Sequence, residues 1–200
     1  MARHILGLVG SYRKGGVVDR LVTETLAEAA AAGATVRKVY LTDLDIAFCT
    51  NCRACTQAPG AEPGTCVIRD DFTTLVEAWK GCDGLVLGSP VNFYNVTAVT
   101  RRFMERLIGF AYWPWAQGGP RLRSPRKDKR AVLIAATAMP AVLGRLFTGA
   151  LRALRLMAET MGAKPVASIF VGMIAQAEQT ELPARALRQA RRAGRRLAAG

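Results

Sequence analysis

The chain has one histidine, His4, among its 200 residues. That removes Ser-His-Asp and Cys-His triads, histidine-rich zinc sites and histidine general-base chemistry unless His4 itself serves. His4 opens an apolar, strand-like run and reads as structural. Acidic side chains are also scarce, 15 against 28 Lys and Arg, which leaves a net charge of +13. Long apolar runs are missing. The longest nearly continuous one, 131–143, is interrupted by Thr137, whereas a membrane span needs about 20 such residues. About six apolar residues follow Arg3 and His4, short of a signal-peptide core, so the expected location is the cytoplasm. Five cysteines are too few, and odd in number, for a disulfide scaffold. In a reducing compartment they read as thiols, metal ligands or redox groups. What is plentiful is apolar side chain, 50% of the chain, which excludes intrinsic disorder and allows one domain with a sizeable core.

The positive charge is concentrated. Segment 121–130 carries six basic residues and one acidic, and segment 183–200 carries six arginines and no acid. The remaining 172 residues hold only +2. Such stretches serve either as solvated surface or as a site for a polyanion or phosphorylated ligand. No recognition motif accompanies them, so a nucleic-acid partner is not favoured, nor is a membrane.

Short apolar runs alternate with longer amphipathic ones. Strands are expected at 4–9, 35–40, 84–88, 131–136 and 166–171. Helices are expected at 17–32, 72–80, 97–108, 144–161 and 181–198. The helix over 17–32 places Val18, Leu21, Val22, Thr25 and Ala29 on one face; that over 144–161 places Leu146, Ala150, Leu154, Met157 and Met161 on its core side. Strands apolar on both faces and separated by helices imply a parallel sheet covered on both sides, a three-layer α/β/α fold. No linker or repeat divides it, so residues 1–200 read as one domain. Segment 41–70 is a cysteine-containing insertion and 181–198 a basic terminal helix.

In such folds ligands bind beyond the carboxyl ends of the strands. The first strand runs into Gly10-Ser11-Tyr12-Arg13-Lys14-Gly15-Gly16 and then a helix, an arrangement suited to phosphate. Gly15 is followed by Gly16 and Val17 rather than by Lys and Ser or Thr, which disfavours an NTPase loop, and the glycine spacing is not that of a dinucleotide fingerprint. The third strand ends in Gly88-Ser89-Pro90-Val91-Asn92-Phe93-Tyr94-Asn95-Val96, which offers rings and amides to a flat heteroaromatic ligand. A phosphate-bearing aromatic cofactor accounts for both loops.

Three stretches together carry a resemblance: Gly10-Ser11-x-Arg13-x-Gly15-Gly16; Cys49-x-x-Cys52-x-x-Cys55 followed by Cys66 and Asp70-Asp71-Phe72; and Gly88-Ser89-Pro90-Val91 with Val96-Thr97-Ala98. The chain resembles the NAD(P)H-dependent FMN reductase and iron–sulfur flavoprotein branch of the flavodoxin-like superfamily, from residue 4 to about residue 171. The resemblance implies a five-stranded parallel sheet in order 2-1-3-4-5. It implies FMN with its phosphate on loop 10–18 (Ser11, Arg13, Gly15, Gly16, Val17, Val18). The flavin ring would lie against Pro90, Val91, Asn92, Phe93, Tyr94 and Asn95, approached by Thr137 and Ala138. It also implies a homodimer or homotetramer. Val17-Val18 replaces polar residues common in relatives, which shifts phosphate binding toward backbone, Ser11 and Arg13.

The cysteines leave alternatives open. C-x₂-C-x₂-C is a usual opening for an iron–sulfur cluster, and Cys49, Cys52, Cys55 and Cys66 supply four thiolates for a [4Fe–4S] cluster or for zinc. Related flavin reductases keep a similar pattern with no metal. The function expected is an FMN-dependent NAD(P)H oxidoreductase that passes electrons by a ping-pong scheme to a small acceptor: a quinone, free flavin, azo or nitro compound, or metal ion. The flavin carries the chemistry and no catalytic side chain is named. Tyr112, Trp113 and Trp115 are candidate walls of the acceptor pocket, or core, or interface. Arg121, Arg123, Arg126 or Lys127 are candidates for the nicotinamide cofactor's phosphates. The alternatives are an electron carrier between proteins and a flavin-free zinc or nucleic-acid-associated regulator.

Overall fold

The computed structural model describes residues 2–124, 126–176 and 181–199. In chain order the regular elements are β1 (His4–Val9), α1 (Val17–Ala31), β2 (Thr35–Tyr40), α2 (Asp71–Lys80), β3 (Gly84–Asn92), β4 (Asn95–Val96), α3 (Ala98–Arg106), β5 (Ala111–Tyr112), β6 (Arg121–Leu122), β7 (Lys129–Ala136), α4 (Ala141–Phe147), α5 (Ala150–Thr160), β8 (Ala163–Val171) and α6 (Ala184–Ala198). The five long strands pair in parallel in the order β2-β1-β3-β7-β8. Counting only these, the order is the expected 2-1-3-4-5 of a flavodoxin-like sheet. The sheet has a sixth strand, β4, which pairs antiparallel with the end of β3.

Two apolar layers form, one on each face of the sheet. One gathers Leu6, Leu8, Leu85, Leu87 and Leu133 with Phe103 of α3 and Leu154 and Met157 of α5. The other gathers Val9, Val86, Val132 and Ile134 with Leu21 and Val22 of α1 and Ala190 and Ala193 of α6. Alternate residues of each strand serve opposite layers, so a fully apolar strand is what a doubly covered sheet requires. The predicted inward face of α1 is buried, namely Val18, Leu21, Val22, Thr25 and Ala29, and so are Val99 and Phe103 of α3 and Leu107 just beyond it.

Two predicted boundaries are corrected. The single helix expected over 144–161 is two helices, α4 and α5, broken at Thr148 and Gly149, where Gly149 N–H donates to the Tyr94 carbonyl (2.7 Å). Leu146 belongs to α4 and is 71% exposed, so it is not core. The stretch expected as a loop over 89–96 is instead the end of β3, a two-residue turn at Phe93 and Tyr94 (φ 44° and 61°), and β4. Positive φ at both turn residues is the geometry of a tight hairpin whose twist matches its strands.

Candidate active site

The carboxyl ends of β1 and β3 face a cavity of about 690 Å³. Its walls include Ser11, Tyr12, Arg13, Lys14, Gly15, Gly16, Val17 and Val18 from the first loop, with Pro90 and Asn92 from the third. Arg20 and Ile174 complete it. Of the residues expected at the site, eight meet here. Val91, Phe93, Tyr94, Asn95, Thr137 and Ala138 do not line this cavity. Phe93 points fully into solvent (102%) at the hairpin tip, and Tyr94 is exposed beside it. The Asn95 Oδ1 accepts from Val96 N–H at 2.9 Å. Thr137 is buried, its N–H donating to the Val171 carbonyl (2.9 Å), while Ala138 is exposed. Tyr12, Lys14, Arg20 and Ile174 were not singled out by sequence reasoning. The signal for Ile174 is topological, since it follows the last strand on the same sheet edge.

The local chemistry of the first loop suits an anion. Gly16 caps the N-terminus of α1 without a side-chain bond, which leaves the helix's first turn with no side-chain cap among the described residues. Val17 and Val18 line the cavity while their side chains are buried in the core. The Ser11 hydroxyl ties the loop to itself, accepting from Arg13 N–H at 3.2 Å. Gly15 adopts φ +75°, a conformation that favours glycine, and its N–H donates to Asp19 Oδ2 at 2.6 Å. Asp19 is buried and also accepts from the Tyr40 hydroxyl at 3.1 Å, with the Lys38 ammonium against it. Burial works against the Lys38 charge, but Asp19 and Tyr40 hold its pKa above the ordinary lysine value. The Asp19 carboxylate is thereby balanced, and Arg13, Lys14 and Arg20 line the cavity, with Lys14 paired to Asp43 at 2.7 Å.

A knot of buried hydroxyls locks the two rim loops together. Thr97 Oγ1 donates to the Gly10 carbonyl at 2.6 Å and lies 2.8 Å from Thr100 Oγ1. Thr97 N–H donates to Ser89 Oγ at 3.1 Å, and Gly10 N–H donates to the Gly88 carbonyl at 2.7 Å. A Cβ at Gly10 would sit 1.8 Å from Thr100 Oγ1, so the close approach of loop and helix requires glycine there.

The cysteine loop is built by arginines. Arg106 and Asp70 form a buried bidentate pair (2.6 and 3.2 Å; side chains 1% and 7% exposed). Arg106 also donates to the Ala47 carbonyl (2.9 Å) and to Cys66 Sγ (3.4 Å). Arg123 donates to the carbonyls of Cys55, Ala58 and Gly109 at 3.0, 2.9 and 3.0 Å. Arg53 lies between the rings of Trp113 and Trp115, 3.9 and 4.1 Å from their centroids. Trp113 and Trp115 therefore brace the cysteine loop, and Arg123 staples it; neither faces the rim cavity.

Cys55 is buried, Cys52 exposed, and Cys49 and Cys66 lie between these extremes. Burial pushes the Cys55 thiol up, reinforced by the neighbouring Cys66, Cys49 and Cys52. The Ala54 N–H and the Thr50 hydroxyl hold the Cys52 thiol below its ordinary value. Among the described residues no three His, Cys, Asp or Glu side chains come together as metal ligands. Cys66 accepts from Arg106, and Cys52 is turned to solvent. Cys82 is core, and burial raises its thiol to about 11.

Comparison with known proteins completes the picture. The family described as NADPH-dependent FMN reductase matches residues 3–178. An iron–sulfur flavoprotein of Archaeoglobus fulgidus is 33% identical over 113 residues, covering 56% of this chain and 49% of that protein. An iron–sulfur flavoprotein of Methanocaldococcus jannaschii is 34% identical over 102 residues, covering 51% and 50%. The chain thus spans about half the length of the curated relatives it matches. Among solved structures, an NAD(P)H:quinone oxidoreductase from Methanothermobacter marburgensis superposes with TM-score 0.73 at 18% identity, covering 98% of this chain and all of that one. An FMN-dependent NADH-azoreductase from Bacillus anthracis, solved with FMN, gives 0.68 at 12% identity, covering 100% and 98%. At these identities the structural likeness establishes the fold.

Proposed function

The chain belongs to the NADPH-dependent FMN reductase family, and from that premise we propose that its rim cavity binds FMN and that the protein is an NAD(P)H oxidoreductase. The observation that carries the reading is the uncapped N-terminus of α1, set in a cavity of about 690 Å³ beside Arg13 and Lys14. That volume falls in the range of cofactor sites. The bound flavin would supply the redox chemistry, taking hydride from the nicotinamide and passing electrons to a second acceptor. The first-turn amides of α1, with Arg13, would hold the phosphate, and Ser11 and Gly15 keep the loop in a shape suited to it. Pro90 and Asn92, at the end of β3, would border the ring. The acceptor is a small molecule such as a quinone, a flavin or an azo or nitro compound, which takes the place vacated by the oxidised nicotinamide in a ping-pong cycle.

We propose further that the protein works as a homo-oligomer. α4 turns Val142, Leu143, Leu146 and Phe147 outward, an apolar patch of the kind a second copy covers. Sedimentation should show a dimer or larger, and a strict monomer at micromolar concentration refutes this part.

The test of the cofactor is titration of the protein with FMN and with riboflavin, followed by flavin fluorescence. FMN should bind tightly and riboflavin at least about a hundredfold more weakly, because the phosphate contacts are charge-assisted. NADPH oxidation with a quinone should follow FMN loading. Protein that stays colourless in excess FMN overturns the proposal. Asp19→Asn should weaken FMN about tenfold, since it removes the anion that orders Gly15, Lys38 and Tyr40 around the loop. An unchanged FMN affinity in Asp19→Asn would remove Asp19 from the account of the site.

A further inference from the structure

Lys127, Lys129 and Arg130 of the first basic stretch and Arg196 of the second meet at the foot of the sheet, the end opposite the proposed FMN rim. There Lys129 and Arg130 begin β7, in register with Ala163 and Lys164 of β8. A concavity of about 500 Å³ is lined by Lys127, Lys129, Arg130, Lys164 and Arg196, with Asp128 the one acid. Partners hold some of these. Arg130 donates to the Arg196 carbonyl (3.2 Å), Lys129 to the Cys82 carbonyl, and Lys127 lies 3.7 Å from Glu159. Lys164 is exposed and in no ion pair among the described residues.

α6 extends this concavity into a stripe. Its 15 residues span about 22 Å. All six arginines are exposed, because Ala186, Ala190, Ala193, Gly194 and Leu197 form the buried face. Arg191 and Arg195 pair with Glu24 and Glu28 of α1. Arg185, Arg188 and Arg192 have no ion pair among the described residues. The result is an elongated cationic face with two ends, the arginines of α6 and the foot concavity.

Its chemistry selects among polyanions. A bilayer surface is held by a helix that inserts apolar side chains, and the apolar face of α6 is already packed on α1 and the sheet. An acidic protein partner needs an apolar or aromatic anchor at the centre of its interface, and neither α6 nor the concavity offers an aromatic ring. Single-stranded nucleic acid needs rings for base stacking, which are equally missing. A duplex backbone needs only closely spaced cations along a ridge. We propose that this face binds the phosphate backbone of double-stranded nucleic acid without reading its sequence.

The test is fluorescence anisotropy of a short labelled DNA duplex with the full-length FMN-loaded protein, at low salt and again at fourfold higher salt. Wild type should bind and should weaken steeply with salt. Arg188→Ala with Arg192→Ala removes two unpaired cations and keeps helix propensity. This pair should bind about tenfold more weakly with a shallower salt slope. Arg37→Ala with Arg69→Ala removes the same charge elsewhere and should stay within about twofold of wild type. Lys164→Ala, which leaves α6 untouched, should weaken binding about threefold and guards against a folding defect in the helix variant. Equal losses in both arginine pairs would reduce the effect to net charge and overturn the proposal. So would no duplex binding at low salt, or binding to phosphatidylglycerol vesicles without binding to duplex. FMN uptake is read in the same samples, so failure here is distinct from failure of the cofactor site.

Discussion

Replacing Asp70 with alanine should lower folding stability by about 3–5 kcal/mol, because it leaves the Arg106 guanidinium buried without its counter-charge. One carboxylate performs three tasks. It accepts Phe72 N–H (3.1 Å) as the N-cap of α2, accepts Ala47 N–H (2.8 Å) to anchor the start of the cysteine loop, and grips Arg106 through two bonds. Arg106 in turn holds Ala47 and Cys66, so losing Asp70 loosens the loop at both ends. Asp70→Asn keeps a capping oxygen but not the charge, and should fall between alanine and wild type. Urea unfolding followed by tryptophan fluorescence, without FMN, measures both. An alanine variant within about 1 kcal/mol of wild type would contradict the pinning role. Burial pushes the Asp70 pKa up, but Arg106 and the N–H groups of Ala47 and Phe72 outweigh it and hold the carboxyl below its ordinary value. A depressed folded-state pKa contributes stability that is present above the unfolded-state value and lost as pH falls through the folded one. Wild type should therefore lose this increment on acidification, and Asp70→Asn should show a flatter acid limb.

The fold was legible because its signals are long and periodic. β1, β7 and the inward faces of α1 and α3 follow from apolar spacing alone. Where the reading went astray, tertiary contacts outweighed local pattern. The run 144–161 keeps helical spacing across Thr148 and Gly149, yet the helix breaks where Gly149 meets the hairpin carbonyl of Tyr94. The hairpin at Phe93 and Tyr94 lacks the glycine or asparagine that marks such turns, so nothing announced positive φ there. At the site, the phosphate loop was visible as glycines between a strand and a helix. Asp19 was not, since an acidic residue in the first helical turn looks like an ordinary dipole partner until Tyr40 and Lys38 are brought across from β2. Arg53, Arg106 and Arg123 were hidden for the same reason. Their partners lie 14 to 68 residues away, outside any local pattern that a single sequence displays.

Thr97→Val should weaken FMN binding about tenfold and cost about 1–3 kcal/mol of stability, with side-chain volume nearly unchanged. The Thr97 hydroxyl joins the loop after β1 to the junction of β4 and α3, donating to the Gly10 carbonyl and accepting Thr100 N–H (3.3 Å) as the N-cap of α3. Valine leaves the Thr100 amide without its cap and the Gly10 carbonyl with only the longer Thr100 hydroxyl contact at 3.4 Å. The two rim loops then keep their contacts with the sheet but lose the bond that sets their spacing, and a ligand that touches both loses preorganised partners. Thr25→Val is the control. Thr25 is equally buried, and its hydroxyl donates to the Leu21 carbonyl (2.8 Å) within α1, away from the rim. If the knot positions the loops, Thr97→Val should shift FMN affinity and Thr25→Val should not, even where their unfolding midpoints are similar. Equal affinity losses in the two variants would mean that general destabilisation, and not loop spacing, governs binding.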